Sequence, residues 1–135
     1  MSEPHTWATL PLPPSANALH ENGRGSRYST PAYKRWQKAA GLELLVARSK
    51  RMVKPIPDGW WHLEMQVPVA MKGDIDNRVK AVADLLHGSG ATPDDKLLWS
   101  ALVERSARVE PGMCVVRTWP VFETHAEGVS QDVPA

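Results

Sequence analysis

Residues 61–86 read WHLEMQVPVAMKGDIDNRVKAVADLL, and the hydrophobic period changes partway along them. Trp61, Leu63, Met65, Val67 and Val69 alternate with His62, Glu64, Gln66, Pro68 and Ala70. That period of two belongs to a half-buried strand. Pro68 has no N–H for a ladder, so it predicts an edge strand or a local break. Past Gly73 the apolar positions become Ile75, Val79, Val82 and Leu86, the spacing of a helix that buries one stripe. Gly88 to Gly90 supplies its stop. A strand running into a helix is one piece of a small α/β sheet, and the flanking segments supply the rest.

Upstream, Thr6 to Leu10 can form a short strand, and Pro11-Leu12-Pro13-Pro14-Ser15-Ala16-Asn17 a stiff extended loop. His20 to Ser29 is polar and carries two glycines, which predicts a mobile loop. Thr30-Pro31 is a helix start, with threonine as N-cap and proline at the first position. Tyr33, Trp36, Ala40, Leu44 and Ala47 form its buried stripe, and Lys34, Arg35 and Lys38 point elsewhere. Downstream, Leu97, Trp99, Ala101, Val103, Ala107 and Val109 read as one face of a long strand. Pro111-Gly112 makes a turn, and Met113 to Phe122 is expected to return as its hairpin partner. The order β-α-β-α-β-β predicts an α/β fold: one small mixed sheet with helices packed on it, a single domain over residues 1–123. Residues 124–135 are polar and are expected to be a disordered tail. A chain of 135 residues can bury one core but not two.

Net charge is only +1, but its distribution is uneven. Between His20 and Lys54, Arg24, Arg27, Lys34, Arg35, Lys38, Arg48, Lys50, Arg51 and Lys54 face only Glu21 and Glu43, so the rest of the chain is acidic. Cations for phosphate beside carboxylates for metal suit a nuclease; a solvated basic helix face is the plainer reading. Cys114 is the single cysteine, which excludes a disulfide framework or a cysteine zinc site within one chain. His20, His62, His87 and His125 lack ligand spacing. No apolar run approaches the roughly 18 residues of a membrane helix, and residues 1–9 do not resemble a signal peptide. A cytoplasmic protein with no membrane partner is the expectation.

The chemistry concentrates in Gly73-Asp74-Ile75-Asp76-Asn77, with Lys80, Asp84 and Pro93-Asp94-Asp95 following. Where backbone is extended, alternate side chains point the same way, so Asp74 and Asp76 can converge. Adjacent carboxylates repel, and a divalent cation relieves that repulsion. Oxygen donors suit Mg²⁺ or Mn²⁺, with water and substrate phosphate completing the shell. Asp94 or Asp95 can add a carboxylate, and Lys80, one helical turn past Asp76, can hold a phosphate oxygen or stabilise developing charge. Plainer readings exist for each residue. Asp74 is then an N-cap, Asp76 a first-turn acid that complements the helix dipole, Asp76–Lys80 a surface pair, and Asp94-Asp95 loop residues.

Taken together, Asp74, Ile75, Asp76, Asn77, Lys80, Asp84, Leu86, Asp94 and Asp95 resemble the signature of the RusA family of Holliday junction resolvases. Leu10 to Asn17, the basic segment with Tyr33, and the order of elements fit as well, so the resemblance covers roughly residues 6 to 122. It implies a homodimeric endodeoxyribonuclease that nicks four-way DNA junctions symmetrically, using Mg²⁺ or Mn²⁺. In family terms Asp74, Asp76 and Asp95 are the metal-binding carboxylates and Lys80 is the essential basic residue, with Asn77, Asp84 and Asp94 as further candidates. Asn17, Arg24, Arg27, Lys34, Arg35, Lys38 and Lys72 are the expected DNA contacts. Family members can carry an arginine-rich run before the aspartates, where this chain has only Lys72 in Met71-Lys72-Gly73. Such proteins are often encoded by phages or prophages. Two rival readings are a non-catalytic branched-DNA-binding protein of the same fold and a D-x-D nucleotide-sugar transferase. The short chain with no clear nucleotide-binding unit argues against the second. Trp61 is expected in the core, and Trp60 at the surface or a subunit interface, where aromatic residues are common.

Overall fold

The computed structural model describes residues 3–15, 20–23 and 26–121. Four strands form the main sheet: β1 (Thr6–Pro11), β4 (Trp61–Pro68), β5 (Leu98–Ser106) and β6 (Met113–Pro120), in the order β1-β6-β4-β5. Two helices accompany it, α1 (Pro31–Ser49) and α2 (Val79–Gly88). A 3-10 turn, Ile75–Arg78, precedes α2, and another, Asp95–Leu97, precedes β5. The sheet is mixed, since β4 pairs parallel with β5 and antiparallel with β6, while β1 pairs antiparallel with β6. The fold is therefore the α/β arrangement that the periodicities predict, with a β4-α2-β5 crossover at its centre.

The core follows from the same periodicities. Trp61, Leu63, Met65 and Val67 are wholly buried on one face of β4. They meet Tyr33, Trp36, Ala40, Leu44 and Ala47 of α1 and Ala81, Val82, Ala83 and Leu86 of α2 in a single cluster. Burying each large aliphatic side chain contributes about 1.5–3 kcal/mol, so α2 is held mainly by this contact rather than by helix propensity, which is weak over ten residues. The α1 start is as expected: the Thr30 side chain accepts from the Tyr33 N–H at 3.2 Å, and Pro31 opens the helix.

Three expectations are corrected. The segment expected as a mobile loop contains a two-stranded hairpin, β2 (His20–Gly23) with β3 (Ser26–Ser29); backbone pairing there needs no apolar alternation, so the polar composition conceals it. Met113–Pro120 is not the partner of β5. It pairs with β1 and β4, which leaves β5 at the edge with every residue at least partly exposed. The strand is also shorter than the long one expected: it runs from Leu98 to Ser106, so Leu97, Ala107 and Val109 lie outside it, and Trp99 on it is exposed. Finally, β4 is interior and not an edge; of the two expectations for Pro68 the local break holds, since pairing with β6 ends at Gln66 and Pro68 is the last residue of the strand. The expected tail, residues 124–135, lies outside the described residues. No helix among the described residues is long and apolar enough to cross a membrane.

Candidate active site around the second helix

The chain leaves β4 at Pro68 and reaches Asp74 through Gly73, whose φ of 90° lies in the left-handed region that glycine enters without a Cβ penalty. Asp74 is extended, with φ −76° and ψ 137°, and stands at the N-cap position of the 3-10 turn. Its side chain makes no capping hydrogen bond, so the plainer reading of Asp74 as a helix cap is not supported. Asp76 lies within the 3-10 turn, not on an extended segment. The period-two argument for convergence of Asp74 and Asp76 therefore stops at Asp74. Both residues are exposed to solvent, and Asn77 is partly buried beside them in sequence, its N–H donating to Asp74 O at 3.3 Å.

Lys80, in the first turn of α2, joins the two acidic segments that follow Asp76. Its Nζ is 3.4 Å from an Asp84 oxygen and 3.4 Å from Asp95 Oδ2. Burial lowers the Lys80 pKa, but the attraction of Asp84 and Asp95 outweighs it and holds the ammonium above the ordinary lysine value. The side chain remains 60% exposed, so these contacts leave it accessible to a phosphate. Tyr33 of α1 lies close to the same charges: burial raises its pKa first, and Asp84 raises it further. The N-terminal part of α1 thus faces α2, with Lys34, Arg35 and Lys38 exposed on the same helix.

Two neighbouring aspartates separate by role. Asp94 caps the second 3-10 turn, its Oδ1 accepting from the Lys96 N–H at 2.9 Å, and that bond is the main reason its pKa is lowered. Its carbonyl accepts from Trp61 Nε1 at 3.1 Å. Asp95 instead faces Lys80. Asp94 thus caps the turn, while Asp95 pairs with Lys80.

Asp74, Asp76 and Asp95 are hard oxygen donors on accessible backbone, the chemistry that suits Mg²⁺ or Mn²⁺. Among the described residues, no three His, Cys, Asp or Glu side chains are already gathered to hold a metal ion. That is compatible with Mg²⁺, which is commonly held by one or two carboxylates and completes its shell with water. The donor set fits by its chemistry and is not pre-assembled into a cage.

Among the expected DNA contacts, Lys34, Arg35, Lys38 and Lys72 are exposed. Arg27 lies on β3, and Asn17 and Arg24 fall outside the described residues. The proline loop is tied to the site from two sides: Trp36 Nε1 donates to Pro11 O at 2.7 Å, and Arg78 Nη1 donates to Pro13 O. Sequence reasoning misses Arg78 and Arg105. Arg78 sits inside the aspartate–lysine motif, where its position is a usable signal; Arg105 stands on an edge strand with no local pattern. The lone thiol, Cys114, is buried and pushed up to about 12, which leaves it inert.

A family model described as Endodeoxyribonuclease RusA matches residues 11–116, which include every described residue of this site. No curated protein matches the chain.

Proposed function

The chain belongs to the RusA endodeoxyribonuclease family, and on that premise we propose that it resolves four-way DNA junctions by divalent-metal-dependent phosphodiester hydrolysis. One observation carries this reading: the family match spans Asp74, Asp76, Lys80 and Asp95, and within it Lys80 pairs with Asp95 while Asp94 Oδ1 caps the turn.

Asp74, Asp76 and Asp95 would hold Mg²⁺ or Mn²⁺, which when bound activates water and neutralises charge on the attacked phosphate. Lys80 keeps a positive charge across the neutral range and places it beside the carboxylates, where it can meet a phosphate oxygen that gains charge. Lys34, Arg35 and Lys38 on α1, with Lys72 before the aspartates and Asn17, Arg24 and Arg27 upstream, supply cations and polar groups along a DNA backbone. The working unit is a homodimer: one chain has one such site, and cutting two strands of like polarity at a junction calls for two sites related by a two-fold axis. The setting is the cytoplasm, in recombination or repair of branched DNA.

The test is incubation of the protein with a synthetic four-way junction, with and without Mg²⁺. Paired symmetric nicks that require the metal support the reading. The other reading, a junction-binding protein without catalysis, draws on the carboxylates' not being gathered as a trio among the described residues. Tight binding with no cleavage in Mg²⁺ or Mn²⁺ would establish it in place of the nuclease.

A further inference from the structure

Residues 69–73, between β4 and the Asp74 turn, belong to no strand or helix. Within the turn, the Met71 N–H donates to Pro68 O at 3.1 Å. Backbone carbonyls that lack a ladder need other donors, and here two guanidinium groups provide them. Arg105, on β5, donates through Nη1 to Met71 O at 2.6 Å and Val69 O at 2.9 Å, with a longer contact to Pro68 O at 3.5 Å. Its Nη2 donates to Gly73 O at 3.2 Å. Arg78 donates through Nη2 to Lys72 O at 3.2 Å, and through Nη1 to Pro13 O. The carbonyls of 69, 71 and 73 thus converge on one arginine and that of 72 on the other.

Only arginine can do this. Its planar fork presents five N–H donors in fixed directions, whereas a lysine ammonium is a single point with three rotatable donors. Arg105 is solvent-accessible, so no single bond is strong against competition from water. What orders the segment is the convergence of several acceptors on one rigid group, because fixing that group fixes them together. The residue also sits on a strand whose register against β4 is set by the parallel ladder, opposite Val67, so the fork is delivered by rigid backbone.

We propose that Arg105 is a positioning residue for cleavage, which holds residues 69–73 against β5 so that Asp74 and Asp76 are presented in one place, with Arg78 bracing the same segment at Lys72 O. Arg105 touches neither carboxylate and takes no part in the chemistry. The kinetic consequence rests on the nuclease reading; the ordering of the segment does not.

Two measurements on wild type, Arg105→Ala and Arg105→Lys separate these. The first is amide hydrogen exchange. The Met71 and Asn77 amides, which donate to Pro68 O and Asp74 O, should exchange about tenfold faster in Arg105→Ala, with the amides of β4 unchanged. Unchanged exchange at these two amides overturns the proposal whatever the protein does to DNA. So does faster exchange throughout the sheet, since that would mean general destabilisation. The second is single-turnover cleavage of a four-way junction over a range of Mg²⁺ concentrations, with metal-free junction binding measured alongside. Arg105→Ala should need roughly tenfold more Mg²⁺ for half its maximal rate while binding the junction within about twofold of wild type. Arg105→Lys should recover little, because the charge returns without the fork. A rate loss with an unaltered Mg²⁺ requirement, or full rescue by lysine, rejects the positioning role. Wild type that fails to cleave at all, while Arg105→Ala still speeds exchange at Met71 and Asn77, refutes the nuclease reading and leaves the brace standing.

Discussion

Two loops bound α2, and each delivers aspartates by different means. The loop before it, residues 69–73, has its carbonyls held by side chains that come from elsewhere, Arg105 of β5 and Arg78 of the 3-10 turn. The loop after it, residues 89–94, is held from within and from the core. Ala91 N–H donates to Leu86 O, Ile56 N–H to Ala91 O, His87 Nδ1 lies 3.3 Å from Thr92 O, and Trp61 reaches Asp94 O. Ala91, Thr92 and Pro93 are buried, whereas Lys72, Gly73 and Asp74 are exposed. Asp94, at the end of the second loop, caps the turn that follows, whereas Asp74, just past the first, makes no capping bond.

The largest effects should come from the acids that neither loop uses for itself. Asp74→Asn, Asp76→Asn and Asp95→Asn are each expected to lower cleavage by about a hundredfold or more, the scale of losing one preorganised charge-stabilising contact or worse. Junction binding should persist, since removing a negative charge does not weaken attraction to phosphate. Gel-based cleavage beside a mobility-shift titration measures both. An Asp95→Asn protein at full rate would mean the loop after α2 contributes no ligand, and the contrast between Asp94 and Asp95 would have no catalytic content.

Lys80 pairs with Asp84 of α2 and with Asp95 after it, so it comes next. Lys80→Ala should lose roughly ten- to a hundredfold in rate with a smaller loss of binding, because a group that acts on developing charge affects turnover more than affinity. The reverse split would make it a phosphate-holding residue only. Its pH behaviour follows from the shift. Burial lowers the pKa and Asp84 and Asp95 more than restore it, so the folded value stands above the ordinary 10.5. The ion-pair contribution is then complete below 10.5 and disappears as pH rises through the folded value. Across roughly pH 6 to 9 the rate profile should show no descending limb that Lys80→Ala removes; finding one would show that the ammonium is lost far earlier.

Much of this fold is legible in the amino-acid sequence. The α1 stripe and its Thr30-Pro31 start, the alternation in β4, and the stripe of α2 follow from period and capping alone, because each is a local pattern that burial enforces. The aspartates and Lys80 stand out because their spacing is unusual. Other features are hidden for physical reasons. The pairing of β6 with β1 and β4 is a non-local choice, and a strand's own residues do not say which neighbour it takes. The hairpin of β2 and β3 is held by backbone bonds that leave no mark in polarity. Arg105 acts through its donors on carbonyls more than thirty residues away, and no residue near it in sequence announces those partners. The choice between Asp94 and Asp95 needs the capping bond, since either residue can cap.

The loop after α2 can be loosened without touching an acid. Trp61 is fully buried and its Nε1 donates to Asp94 O. Trp61→Phe removes the donor and leaves a partly filled space, which should cost about 1–3 kcal/mol in folding free energy by denaturant titration. Cleavage by the folded fraction should fall only severalfold, because Asp95 is also held by Lys80. A loss on the scale of Asp95→Asn would mean that the indole, not Lys80, sets the position of Asp95.

The smallest effect is expected at Asp94 itself. Serine is also a good N-cap, so Asp94→Ser should keep the bond to the Lys96 N–H and leave the neutral-pH cleavage rate within about threefold of wild type. The two proteins should differ in acid. The Lys96 N–H favours the ionised Asp94 carboxylate and lowers its pKa below the ordinary 3.8. Its contribution is therefore present above 3.8 and is lost as pH falls through the lowered folded value. The serine cap has no charge to lose over that range. Melting temperatures of the two proteins at about pH 7 and near pH 3 should thus show wild type losing ground to Asp94→Ser on acidification. An equal difference at both pH values would show that the carboxylate does not act as a charged cap. Loss of cleavage in Asp94→Ser at neutral pH would do more damage, since it would make Asp94 a working ligand and give it the role proposed for Asp95.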